Sequence, residues 1–182
     1  MSYKRWILVA ISIFSIGLIL GLVNPSGINN LISGEITFLE EFSSSLVPFS
    51  FLTAVIIFGK NVIAILVSFV LSPVLCLAPI MALMVNGWLI SFVSASVVQQ
   101  ESLGYLLAGL LPHGVLEIPA LIIAQAAALS FGAMALLALF KKEKRKLLLP
   151  NFKKNLKYLL IAIALLLPAA IIETYATPLL LK

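Results

Sequence analysis

Long apolar runs divided by short polar breaks give the chain its pattern, and the lengths of those runs predict helices that cross a membrane. Trp6 to Val23 follows Tyr3, Lys4 and Arg5 and reaches about 27 Å as a helix, close to the ~30 Å of a hydrocarbon core. Asn24-Pro25-Ser26-Gly27 breaks the helix without resembling a cleavage site, so the segment reads as an uncleaved anchor. Gly17 and Gly21, one turn apart, would let another helix come close. Leu46 to Val98 is apolar almost throughout, with interruptions at Gly59-Lys60-Asn61, Ser72-Pro73, Pro79 and Asn86-Gly87. That stretch is too long for one crossing and suits two, with the turn between Pro73 and Pro79 because proline ends helices. After a polar break around Glu101, Tyr105 to Phe140 is punctuated by Pro112, Gly114 and Pro119, which fits a half-helix followed by a full crossing. Leu156 to Ala176 forms the last span, with Tyr158 and Tyr175 as interfacial anchors. The expected fold is therefore all-α, a polytopic membrane helix bundle of one transmembrane domain. Its spans cover about 6–23, 46–72, 78–98, 114–140 and 156–176, with a re-entrant segment at 104–113 and a basic loop at 141–155.

Composition supports this reading. Of 182 residues, 62% are hydrophobic and 10% charged, at a mean hydropathy of +1.18, too little polar surface to coat a soluble globule. The net charge of +5 is concentrated in one place: Lys141, Lys142, Lys144, Arg145, Lys146, Lys153, Lys154 and Lys157 fall between two apolar segments. Such a cluster fits a cytoplasmic loop facing anionic lipid headgroups, and it argues against a nucleic-acid-binding face. The N-terminus is then inside the cell. Residues 24–45, with Glu35, Glu40 and Glu41 and no basic residue, lie outside and include a short interfacial helix. Five crossings place the C-terminus outside the cell membrane. Cys76 has no second cysteine to pair with and reads as a small buried hydrophobe.

Ionisable groups in a bilayer cost about 2.5 to 3.5 kcal/mol each on insertion scales, so each one present asks for a reason. A buried polar centre is expected from Asn61, Asn86, His113, Glu117 and Glu173, with Lys60 reaching toward an interface. Leu111-Pro112-His113-Gly114-Val115-Leu116-Glu117-Ile118-Pro119 is the most informative segment. On a helix, His113 and Glu117 stand at i and i+4 on one face, and Pro119 removes the donor for the Val115 carbonyl. Gly59, Gly87, Pro112, Gly114 and Pro119 are accordingly read as helix breaks. Two readings stay open: a substrate, ion or proton site, or a His-Glu pair that pins a helix against Asn61 or Asn86. Downstream, Ala120, Ala124, Ala128 and Gly132 recur every fourth residue as a smooth stripe for close packing or self-association. One histidine and no aspartate leave no His-rich zinc site, aspartyl dyad or Ser-His-Asp triad, so neither enzyme, metal nor cofactor is expected.

Pro-His-Gly-Val-Leu-Glu-Ile-Pro-Ala at 112–120, with Phe-Gly-Lys-Asn at 58–61, Asn-Gly-Trp at 86–88 and Ile-Glu-Thr-Tyr-Ala-Thr-Pro at 172–178, resembles the stage II sporulation protein M family of bacterial and archaeal membrane proteins. The resemblance spans about Phe42 to Pro178 and rests on Asn61, Asn86, Gly87, Pro112, His113, Gly114, Glu117, Pro119, Glu173, Thr177 and Pro178. After Ala124 this chain has Gln-Ala-Ala-Ala where the family is Gly-rich. The resemblance implies a membrane-embedded scaffold, since the namesake supports a peptidoglycan-cleaving machine during engulfment, although relatives also occur in organisms that do not sporulate. A non-enzymatic scaffold or subunit, bound to lipids and to other membrane or cytoplasmic proteins or to itself, is thus the first expectation. A small transporter or channel with a midplane site at the helix breaks is the second.

Overall fold

A computed structural model describes residues 3–23 and 47–181. Glu35, Glu40, Glu41 and the interfacial helix expected near them lie outside the described residues. The described chain forms helices α1 (Tyr3–Val23), α2 (Phe51–Leu71), α3 (Leu77–Gln100), α4 (Leu103–Phe140), α5 (Leu148–Tyr175) and α6 (Thr177–Leu180), with a 3-10 turn at Lys142–Leu147. There is no strand among the described residues. Among the described residues, five helices are long and apolar enough to cross a membrane, as the fold class requires.

The turn between the second and third spans occupies residues 72–76. The Cys76 amide bonds the Ser72 carbonyl at 3.0 Å, and Leu75 and Cys76 adopt left-handed backbone, φ 54° and 55°. Pro79 then falls in the first turn of α3, where its missing N–H breaks no intrahelical bond.

None of the expected helix breaks interrupts a helix. Gly59 sits inside α2 and Gly87 inside α3, while Pro112, Gly114 and Pro119 are all interior to α4. The separate re-entrant half-helix at 104–113 is therefore corrected: those residues are the first turns of one helix of 38 residues. Ser102 caps its start by accepting a hydrogen bond from the Tyr105 amide at 3.1 Å. Each proline deletes one rung of the backbone ladder, and the bonds on either side carry the helix through. At 1.5 Å per residue α4 is about 57 Å long, so it tilts steeply or extends beyond a ~30 Å core. The last helix also starts before the expected Leu156. The basic segment is a 3-10 turn followed by the opening turns of α5, with Pro150 in the first of them and Lys153, Lys154 and Lys157 on the helix.

Two apolar clusters hold the bundle together, and α4 belongs to both. One joins Ala120, Ala124, Ala127 and Ala128 of α4 to Ile65 and Phe69 of α2 and to Leu159, Ala162 and Leu166 of α5. The other joins Ile122, Ala126 and Leu129 of α4 to Ala10 and Phe14 of α1 and Leu83 of α3. Between α1 and α3 the contact is backbone on backbone. A Cβ on Gly17 would meet the Met84 carbonyl oxygen at 2.4 Å, and one on Gly87 would meet the Phe14 carbonyl oxygen at 2.4 Å. These residues are needed for close approach, so Gly87 packs a helix where a break was expected. Tyr3 ties the start of α1 to the rest: its ring stacks on Tyr158 of α5 at 3.5 Å, and its hydroxyl donates to the Ile123 carbonyl at 2.8 Å. The outward faces carry large exposed apolar side chains, among them Leu8, Phe51, Val70, Val115 and Leu139. Such a surface suits lipid and would be costly in water.

Candidate functional site

The polar groups scattered along the sequence converge where α2, α4 and the α5–α6 corner meet. His113 and Glu117 share a face of α4, as their i, i+4 spacing requires, with the imidazole Nε2 4.0 Å from Glu117 Oε2. From α2, the Asn61 amide nitrogen donates to the other oxygen of that carboxylate, Glu117 Oε1, at 3.1 Å. From α6, the Thr177 hydroxyl stands 3.3 Å from His113 Nδ1 and also 3.4 Å from the Ile172 carbonyl. Glu173, on the last turn of α5, completes the group. Its carboxylate lies with one donor atom each of His113 and Glu117 in a set whose members are all within 4.8 Å of one another. The side chains of His113 and Glu117 retain 13% and 35% of their exposure, so the group is accessible.

Beside it opens a cleft of about 440 Å³. Lys60, Asn86, His113, Glu117 and Glu173 form its polar end, and Leu89, Val93, Val97, Leu106 and Leu110 line much of the remainder. A smaller cavity of about 60 Å³ shares Asn86, Glu117 and Leu121 with the cleft and reaches Asn61, Ala82 and Gln125. The arrangement is amphipathic, with two carboxylates, an imidazole and an ammonium at one end and aliphatic walls at the other.

The other expected residues fall in different places. Asn86 lines both spaces, but its amide donates to the Ala82 carbonyl of its own helix at 2.7 Å and so joins no bond to the other four polar residues. Gly59 has open space where a Cβ would stand. Gly114 is buried on α4 between the helix prolines, with Pro112 and Pro119 in the same helix. Ala120, Ala124 and Ala128 are sealed against α2 and α5, and a Cβ on Gly132 would strike the Ser72 carbonyl of the 72–76 turn. Lys141, Lys142, Arg145 and Lys146 are exposed and Lys144 half-buried at the opposite end of α4, where Arg145 Nε donates to the Ala138 carbonyl at 3.2 Å.

Three polar residues have surroundings that their sequence positions do not reveal. Gln125 is buried at 1% exposure and accepts a hydrogen bond from Ser68 of α2. It stands eight residues after Glu117 on the same helical face, so the spacing Glu117-Leu121-Gln125 carries the signal that marks it. Lys60, exposed on α2, lines the cleft as well. Asn155 is wholly buried and donates to Ser130 and to Asn151, apart from the cleft. Its position among the lysines of the basic segment gives no hint of burial.

Comparison with known proteins agrees with this framework. The family model described as Stage II sporulation protein M matches residues 7–178. An uncharacterised protein of Methanocaldococcus jannaschii is 30% identical over 173 residues, covering 94% of this chain and 93% of its own length. No solved structure matches the chain.

Proposed function

The chain belongs to the stage II sporulation protein M family of membrane proteins, and from that premise we propose that it binds a small solute in the polar cleft as a transporter-type membrane protein. The cleft carries this reading. Its ~440 Å³ falls in the usual 300 to 1,000 Å³ range of small-molecule sites, and Lys60, His113, Glu117 and Glu173 converge on it from three helices. Groups that serve only to hold helices together pair off and exclude water; this set keeps an open side. The smaller cavity extends the polar lining toward Gln125 and supports a path deeper into the bundle.

The protein acts without enzymatic chemistry in this reading. It sits in the cell membrane with its N-terminus and basic segment in the cytoplasm against anionic lipid and its C-terminus outside, so the cleft end of α4 faces outward. A scaffold or subunit role is the second reading, favoured by one specific observation. The Asn61–Glu117 and His113–Thr177 bonds fasten α2 and α6 to α4, as a structural clasp would.

Accessibility separates the two. In a Cys76→Ser background, Ser94→Cys probes the cleft and Ala82→Cys the small cavity beneath it. Under transport, a membrane-impermeant thiol reagent modifies Ser94→Cys in right-side-out vesicles and Ala82→Cys in inverted ones. Silence at both positions would discard the transport reading and leave the scaffold.

A further inference from the structure

We propose that His113, Glu117 and Glu173 bind a divalent transition-metal ion at the polar end of the cleft. This stands whether the cleft moves a solute or only holds helices together, because it rests on the donor atoms and the residues that hold them.

Hydrogen-bond accounting carries the argument. The Thr177 hydroxyl has one proton, and the Ile172 carbonyl, which can only accept, stands 3.4 Å from it. When that proton goes to Ile172, the Thr177 oxygen accepts from His113 Nδ1–H at 3.3 Å, the tautomer that leaves Nε2 as a ligand atom. The Nε2 lone pair is then left facing a carboxylate, Glu117 Oε2, at 4.0 Å. An imidazole nitrogen and a carboxylate oxygen at this separation can share a proton or a metal ion, and a second carboxylate beside them favours the ion. Glu117 is prepared in the same way, because Asn61 occupies Oε1 and leaves Oε2 to the gap. Holding the outer atoms of His113 and Glu117 by second residues is how proteins orient metal-binding imidazoles and carboxylates.

Glu173 supplies a third ligand from another helix, and all three donor atoms lie within 4.8 Å of one another. Bonds of about 2.0 to 2.2 Å require neighbouring donors to close to roughly 3 to 3.5 Å, a contraction that carboxylate rotation provides. One imidazole nitrogen and two carboxylate oxygens suit Zn²⁺, Mn²⁺ or Fe²⁺, since thiolate-seeking ions find no sulfur there and Ca²⁺ wants more oxygens. Three protein ligands leave an open coordination position toward the cleft. Lys60 lines the same space, and its ammonium competes with a metal ion for the carboxylates.

The test uses the full-length protein, free of any polyhistidine tag, in mild detergent after chelator treatment, with Co²⁺ as the spectroscopic probe and Zn²⁺ as competitor. One Co²⁺ per chain is expected, displaced by Zn²⁺, with a hyperfine-shifted imidazole N–H signal. His113 is the chain's single histidine, so that signal has one assignment. Glu173→Gln weakens binding at least tenfold while retaining helix content and elution volume, and Lys60→Met tightens it. Should His113→Gln fail to fold, the shifted resonance of the unmodified protein still decides. Absence of that resonance at saturating Co²⁺, or affinity unchanged by Glu173→Gln, overturns the proposal.

Discussion

The contact between α1 and α3 and the meeting of α2, α4 and the α5–α6 corner solve the same problem, joining helices in lipid, by opposite means. The first is built of glycines, with Gly17 and Gly87 bringing two backbones to a distance at which no Cβ fits. Its tolerance for added volume is nil. The second is built of side chains that reach across a gap, Asn61 to Glu117 and His113 to Thr177, and it leaves a cleft beside them. Steric fit alone makes a seam that excludes everything; polar reach leaves room for a guest. The second region therefore keeps an accessible polar cleft, while the first sets the frame on which it is held.

The largest expected effect tests the seam. Gly87→Leu drives a side chain into the Phe14 backbone and should cost about 3 kcal/mol. The check is thermal loss of the monodisperse peak in detergent, and tolerance of leucine there would refute the backbone-on-backbone contact. Next comes the polar region. Glu117→Ala strands the Asn61 amide and should lower stability by about 1 to 3 kcal/mol, whereas Glu117→Gln keeps an acceptor and should lose less than about 1 kcal/mol. Equal losses in the two variants, measured by the same melting assay, would mean that charge and not the hydrogen bond holds α2 to α4. The smallest effect separates glycines that look alike in sequence. Gly59 meets nothing, so Gly59→Ala should be neutral or stabilise α2 by up to about 1 kcal/mol. A clear fall in melting temperature there would show that a neighbour packs on that face.

The same glycines show what could be read without a structure. Spans were legible because apolar length needs no partner to interpret: a run such as Trp6–Val23 is a membrane helix whatever surrounds it. Breaks were not, because glycine and proline act through context. Gly59 and Gly87 carry the same punctuation in sequence, yet one faces open space and the other a backbone. Pro112 and Pro119 sit in a helix that closes over them. In the cleft, the i, i+4 pair of His113 and Glu117 was legible from helical geometry, and so was the smooth face of Ala120, Ala124 and Ala128. The pairing of Asn61 with Glu117, and the place of Thr177 behind His113, depend on how helices far apart in sequence are laid together, and spacing holds no record of that.

The two prolines of α4 have a mechanical side. Lacking an N–H, Pro112 and Pro119 leave the carbonyls of Ala108 and Val115 without their usual partners, so two rungs are absent within two turns of each other. Bending stiffness drops there, whereas the stretch from Ala124 to Gly132 is held by close packing. The joint lies beside His113 and Glu117, so a bend of α4 at its prolines is a bend at the polar cluster itself.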